Sequence, residues 1–117
     1  MMVRVDHDPI RSSAAGTALV GVADGDWGRI VRADQTLADL LGTSLDALVG
    51  TRLVDHVVLA DRVNVLDVLS ELTAGGQYEG EWRMAGAGSA PRAIRIYASP
   101  VAMRSGRAIV IRFGARV

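Results

Sequence analysis

Three segments near the end of the chain constrain it most. In QYEGEWRM (77–84), Tyr78, Gly80, Trp82 and Met84 share one face, and Gln77, Glu79, Glu81 and Arg83 share the other. A period of two with one apolar and one charged side predicts an antiparallel strand, half on a core and half in water. RAIRIYASPV (92–101) repeats the pattern, with Ile94, Ile96 and Ala98 opposite Arg95, Tyr97 and Ser99. AIVIRF (108–113) adds a third strand. AGAGSAP (85–91) reads as a loop, and RSGR (104–107) as a hairpin turn whose Gly106 takes positive φ.

The apolar side of such a sheet needs a cover, and the first half of the chain supplies it. TALVGVA (17–23) is short, apolar and β-branched, DGDWG is turn chemistry, and GRIVRA (28–33) pairs back as a hairpin partner. Asp34 is placed to cap a helix whose Leu37, Leu40 and Leu41 form one apolar face before Gly42 ends it. Ser44 caps a second short helix, with Leu45, Leu48 and Val49 repeating the pattern before Gly50. After LVDHVVL (53–59), Asp61 is placed to cap a longer helix with an apolar stripe of Val65, Leu66, Leu69 and Leu72, stopped by Gly75 and Gly76. Residues 1–14 show no periodicity and read as a mobile or linking segment, leaving 15–117 as one domain. The expected class is α+β: one five-stranded antiparallel sheet with the helices packed on one face.

Composition removes several kinds of chemistry. All 13 basic residues of the 117 are arginine, as a GC-rich genome favours, and there is neither Lys nor Cys. Without lysine there is no Schiff base and no phosphate-loop lysine, so GVADGDWG is not a nucleotide-binding loop. Without cysteine there is no disulfide, no thiolate nucleophile and no cysteine-linked chromophore. The arginines are scattered and balanced by 13 acidic residues, which gives nucleic acid no basic stripe to follow. No apolar run approaches the ~20 residues of a membrane span, and the polar N-terminus lacks the apolar stretch of a signal peptide. The expectation is a soluble, cytoplasmic protein. Asp6-His7-Asp8 lacks a further ligand cluster and reads as solvated rather than metal-binding. His56 is the one histidine near the fold's interior, and the sheet acids Glu79 and Glu81 lie on the polar face. No acid–base pair shares a cleft, so no enzyme is expected.

With these elements in order, residues 15–114 resemble a PAS domain. The resemblance rests on Gly28, then Leu40, Leu41, Gly42 and Ser44, then Leu48, Val49 and Gly50, then the Asp61-Arg62 step, Glu81 and Arg83. Ser99, Pro100, Gly106 and Arg107 fit the family's last hairpin. The resemblance implies a sensory module in which sheet and helices enclose a pocket and dimers relay its state to another domain.

Family subtypes can be sorted residue by residue. The light-sensing flavin motif Gly-x-Asn-Cys-Arg-Phe begins at Gly50, but its Cys slot holds Leu53, so no flavin adduct forms. Haem-binding relatives usually carry an axial His on the long helix, and residues 61–73 contain none, with His56 lying just before it. A noncovalent flavin could stack on Trp82, although a Trp on the inner face of a strand is ordinarily core. Neither cofactor is therefore expected. The chain departs from the family at Asp34, where Asn is usual, at Val58-Leu59, where His-Pro is common, and at Ala115-Arg116-Val117, where Asp-x-Thr commonly anchors the outgoing helix.

The resemblance then implies a small, mostly apolar ligand held noncovalently between helices and sheet. The helical side of that pocket would comprise Asp34, Leu37, Leu41 and Leu48, then Leu53 and His56, then Leu66 and Leu69. Trp82 and Ile96 would line it from the sheet. The expected partners are a second copy of the chain, meeting it through the N-terminal segment and the outer faces of 17–23 and 108–113, and an output domain such as a histidine kinase or cyclic-dinucleotide enzyme. The alternative is a ligand-free interaction and dimerisation module whose apolar set closes on itself.

Overall fold

The computed structural model describes residues 14–23, 25–85, 90–104 and 106–114, with side chains from Gly16 onward. Strands β1 (Ala14–Gly21) and β2 (Ile30–Ala33) are followed by helices α1 (Gln35–Leu40) and α2 (Leu45–Leu48). Two 3-10 turns, Leu53–His56 and Leu59–Asp61, lead into α3 (Arg62–Thr73). Strands β3 (Tyr78–Met84), β4 (Arg92–Met103) and β5 (Gly106–Gly114) complete the fold. The expected class holds. One five-stranded antiparallel sheet runs in the order β2-β1-β5-β4-β3, with every helix packed on the same side.

The expected alternation is realised in full. Trp82 and Met84 of β3, Ile94, Ile96 and Ala98 of β4, and Ile109, Ile111 and Phe113 of β5 are buried together with Ala18 and Val20 of β1. Leu37, Ala38, Leu41, Leu48, Leu53, Val57, Val65, Val68, Leu69 and Leu72 close the same core from the helical side. This core contains no buried polar or charged residue among those described.

Local chemistry explains why the helices are brief. The Asp34 carboxylate accepts from the N–H of Leu37 at 3.0 Å and from that of Thr17 at 3.1 Å, so it caps α1 and ties its start to β1. At the other end Gly42, at φ 69°, donates to Asp39 and Thr43 donates to Ala38, the paired closing bonds of a helix turned off by a left-handed residue. Ser44 Oγ accepts from the Ala47 N–H at 3.1 Å and starts α2 as expected. Gly16 lets α1 approach β1: it sits at φ 143°, and a Cβ there would meet the backbone nitrogen of Leu37 at 2.6 Å.

Several expectations are corrected. β1 begins at Ala14 and ends at Gly21, rather than 17–23, because pairing with β5 continues as far as Gly114. β4 runs on to Met103, where it pairs with Gly106 across the expected hairpin turn. Asp61 does not cap α3 with its side chain. Its carboxylate is taken by Arg83, from the backbone N–H and the guanidinium. Leu66 is not in the buried stripe of α3. It is 37% exposed, and Val68 takes its place, because the face turned to the sheet follows Val65, Val68, Leu69 and Leu72. The segment through Ser13, with Asp6-His7-Asp8, most of the 85–91 loop and Ala115-Arg116-Val117 lie outside the described residues.

Candidate ligand site and outer sheet face

The connection between α2 and α3 spans the helical side of the sheet and bonds to both edge strands. At the β2 edge, the Gly50 N–H donates to the Ile30 carbonyl at 2.7 Å and the Ile30 N–H donates to the Thr51 carbonyl at 2.8 Å. Arg29 and Arg52 form a further antiparallel bridge there. At the β3 edge, Val57 bridges to Met84, the Val58 N–H donates to the Arg83 carbonyl, and the Ala85 N–H donates to the His56 carbonyl. The Asp61–Arg83 ion pair at 3.0 Å reinforces that end. Arg83 hydrogen bonds hold the Asp61 carboxyl below its ordinary 3.8. Residues 50–61 therefore act as a strap that closes the helical side and also covers the exposed ladder groups of two sheet edges.

Beneath this strap most of the expected pocket residues meet. Leu37, Leu41, Leu48, Leu53, Leu69, Trp82 and Ile96 belong to one buried cluster. Three others do not join it. Asp34 is exposed and occupied as a cap, and Leu66 faces outward. His56 is half-buried at the margin, with Nε2 2.8 Å from Thr51 Oγ1. The Thr51 hydroxyl donates its proton to the Leu48 carbonyl at 2.6 Å, so its oxygen can only accept from His56, which places a proton on Nε2. Burial holds the His56 pKa below its ordinary 6.5, against the opposing pull of Asp55.

One polar atom in this interior lacks a partner. Trp82 is fully buried, and its Nε1–H meets no acceptor among the described residues. Leaving a buried donor unpaired costs about 1–3 kcal/mol. Trp82 also stacks with Tyr78, the ring centroids lying 5.9 Å apart and the planes inclined by 26°. Tyr78 folds back along β3 over Gly80, where a Cβ would meet its hydroxyl and its Cζ, the latter at 2.7 Å. Ile96 lies beside Gly80 on the neighbouring strand.

Two concavities formed by described residues lie on the outer face of the sheet. One, of about 550 Å³, is lined by Tyr97, Ser99, Val101, Val110 and Arg112 together with Gln77 and Glu79. Arg95 braces its rim, with an ion pair to Glu79 at 2.7 Å and its guanidinium carbon 5.8 Å from the centre of the Tyr97 ring. The second, of about 300 Å³, runs past Leu19, Val31, Arg32, Arg107 and Ala108. Strand β5 contributes to both and β1 only to the second, but sequence reasoning did not single out Tyr97, Val101 or Tyr78. Alternation assigned Tyr97 its outer side and Tyr78 its inner side. Neither the hollow nor the fold-back over Gly80 has a signature in period two.

Comparison with known proteins agrees with this architecture. The chain is similar in fold to the PAS domain of an HTR-like protein from Haloarcula marismortui, with TM-score 0.71, 11% identity, and 84% of this chain and 82% of that one covered. A domain of a sensory box sensor histidine kinase/response regulator from Geobacter sulfurreducens aligns with TM-score 0.67 and 11% identity, over 83% of this chain and 80% of the other. The PAS domain of a protein from Colwellia psychrerythraea aligns with TM-score 0.70 and 18% identity, over 85% and 84%. No curated protein matches the sequence. Residues 30–112, more than half of the chain, match the profile of the family described as PAS fold. With that match joined to the sheet order and the strapped helical face, the chain belongs to the PAS fold family.

Proposed function

We propose that this chain is a non-enzymatic, cytoplasmic sensory module that binds a small, mostly apolar ligand without a covalent bond. It relays occupancy through a homodimer to an output domain such as a histidine kinase or cyclic-dinucleotide enzyme. The observation that carries this reading is the two-sidedness of β4 and β5. Ile96, Ala98, Ile109 and Ile111 form the buried floor beneath the helices, while the alternating Tyr97, Ser99, Val101 and Val110 line the outer hollow. A side chain displaced on one face of a strand shifts the backbone that holds its neighbours on the other. Ligand in the interior thereby biases which geometry the outer face adopts against a second copy. Neither flavin nor haem is assigned to the interior. Leu53 stands where an adduct-forming cysteine would be, and His56 is already bonded through Nε2 to Thr51.

Native mass spectrometry of the protein purified from its host, with a thermal-shift screen of metabolites, tests the ligand. A co-purified small mass, or a compound that raises Tm, is the expected result. If nothing co-purifies and no compound shifts Tm, the ligand-binding reading is withdrawn. A second reading, the ligand-free interaction module, is favoured by one observation: the largest described core side chains, Trp82 and Phe113 among them, are fully buried. That module would still dimerise but would bind nothing.

A further inference from the structure

We propose that a second copy of the chain seats on the outer sheet face with the outward side of its α3, so that copies associate head to tail. The inference deepens the sensory reading above and rests on its dimer, since it names the surface that the second copy presents.

Helix α3 has an apolar side that the fold does not use. Val63 is 71% exposed, and Leu59, four residues earlier in the turn that leads into α3, is 78% exposed. The next most exposed large apolar residue described, Val49, reaches only 40%. Val63, Leu66 and Ser70 recur at spacings of three and four and form one ridge. That ridge points away from the sheet, because Val65, Val68, Leu69 and Leu72 point toward it. Asp67 and Glu71 stand beside it, exposed, and their carboxylates form no ion pair among the described residues. Arg62, the single cation of α3, is turned back through Nε onto the Val57 carbonyl.

The outer sheet face complements that ridge in shape and in charge. Its two hollows adjoin, because Val110 and Val101 of the first pair with Leu19 and Ala108 of the second. Their floor is therefore one apolar strip across β4, β5 and β1. Arg32, Arg107 and Arg112 line the hollows, exposed, and form no ion pair among the described residues. Of the two acids that line them, Glu79 is already neutralised by Arg95, which leaves Asp26. A convex apolar ridge with an acidic flank fits a concave apolar strip set among arginines. Two outer faces meeting each other would instead bring like charges together, as would two ridges.

The two surfaces lie on opposite sides of the sheet, so one pair of copies cannot make both contacts at once. Each pair keeps one surface of each kind open, and the contact is heterologous: dimers form first and lengthen as concentration rises.

Two variants test this by complementation. Val110→Arg blocks the sheet face and leaves the ridge, whereas Val63→Arg blocks the ridge and leaves the sheet face. Both positions lie outside the buried core. Each variant alone should stay monomeric by light scattering at micromolar concentrations where wild type associates. An equimolar mixture should approach twice the monomer mass and stop there, because each partner caps the other. If the far-ultraviolet spectrum shows that either fails to fold, Val101→Arg replaces the first and Leu59→Arg the second. Association of either variant alone overturns the proposal; if only Val63→Arg associates, the dimer reading stands, with two sheet faces meeting. A mixture that stays monomeric while wild type associates also overturns it. A wild-type chain that is monomeric at every concentration removes both.

Discussion

At the scale of single residues, two polar side chains carry more structure than their exposure suggests. One oxygen of Asp34 accepts from both Leu37 and Thr17, so a single carbonyl oxygen suffices for both bonds and the negative charge is dispensable. Asp34→Asn, which restores the residue usual in the family, should change the unfolding free energy by less than about 0.5 kcal/mol, whereas Asp34→Ala should lose about 1–2 kcal/mol. Urea denaturation of both variants checks the contrast. His56 makes the second prediction. Burial holds its folded pKa below the unfolded 6.5, so the unfolded chain binds more protons in the interval between the two values. Stability from neutral His56 is complete above about 6.5 and falls as pH drops toward the folded value. Urea midpoints measured between about pH 8 and pH 5 should therefore decline, and His56→Gln, which keeps a donor for Thr51, should flatten the decline. The Asp61 carboxyl titrates below 3.8, outside that window.

At the scale of elements, the strap explains why α1 and α2 are short and end on left-handed glycines. One long helix would run off the sheet, whereas brief helices let the chain return to pair with β2 and then cross to β3. The far anchorage depends on Asp61, which bonds Arg83 and so does not serve as the expected helix cap. Asp61→Ala should raise amide hydrogen exchange at Val58 and Ala85, which bond across this junction, and leave the β1–β5 ladder protected. Equal deprotection of both regions would show that the ion pair supports the whole domain and not the strap alone.

At the scale of the molecule, the sheet is a partition between an apolar interior and a structured outer hollow. Val110 stands near the middle of that face, level with Leu19 on β1 and Ser99 on β4. Its side chain points away from the core, so a charge there leaves the interior intact and opposes any partner seated on the hollow. Val110→Arg should convert a micromolar dimer to monomer by light scattering, with an unchanged far-ultraviolet spectrum. A wild-type chain that is monomeric at every concentration would remove the dimer from the proposed mechanism.

Much of this was legible in the sequence because it depends on local chemistry. Period-two alternation in 77–84 and 92–101, caps at Asp34 and Ser44, and glycines at Gly42 and Gly50 each act within a few residues, and together they determined the element order and the α+β class. Seven of the ten expected pocket residues share the core because burial follows from the same apolar faces. What only the tertiary structure decided involves partners far apart in the chain. Whether Asp61 caps its own helix or binds Arg83 is a competition between a local and a distant donor. Leu66 and Val68 are both apolar, and only the way α3 seats on the sheet buried one and exposed the other. The fold of Tyr78 over Gly80 and the Trp82 N–H, unpaired among the described residues, likewise depend on what the assembled core brings within reach, because a hydrogen bond is specified by three-dimensional proximity and not by spacing along the chain.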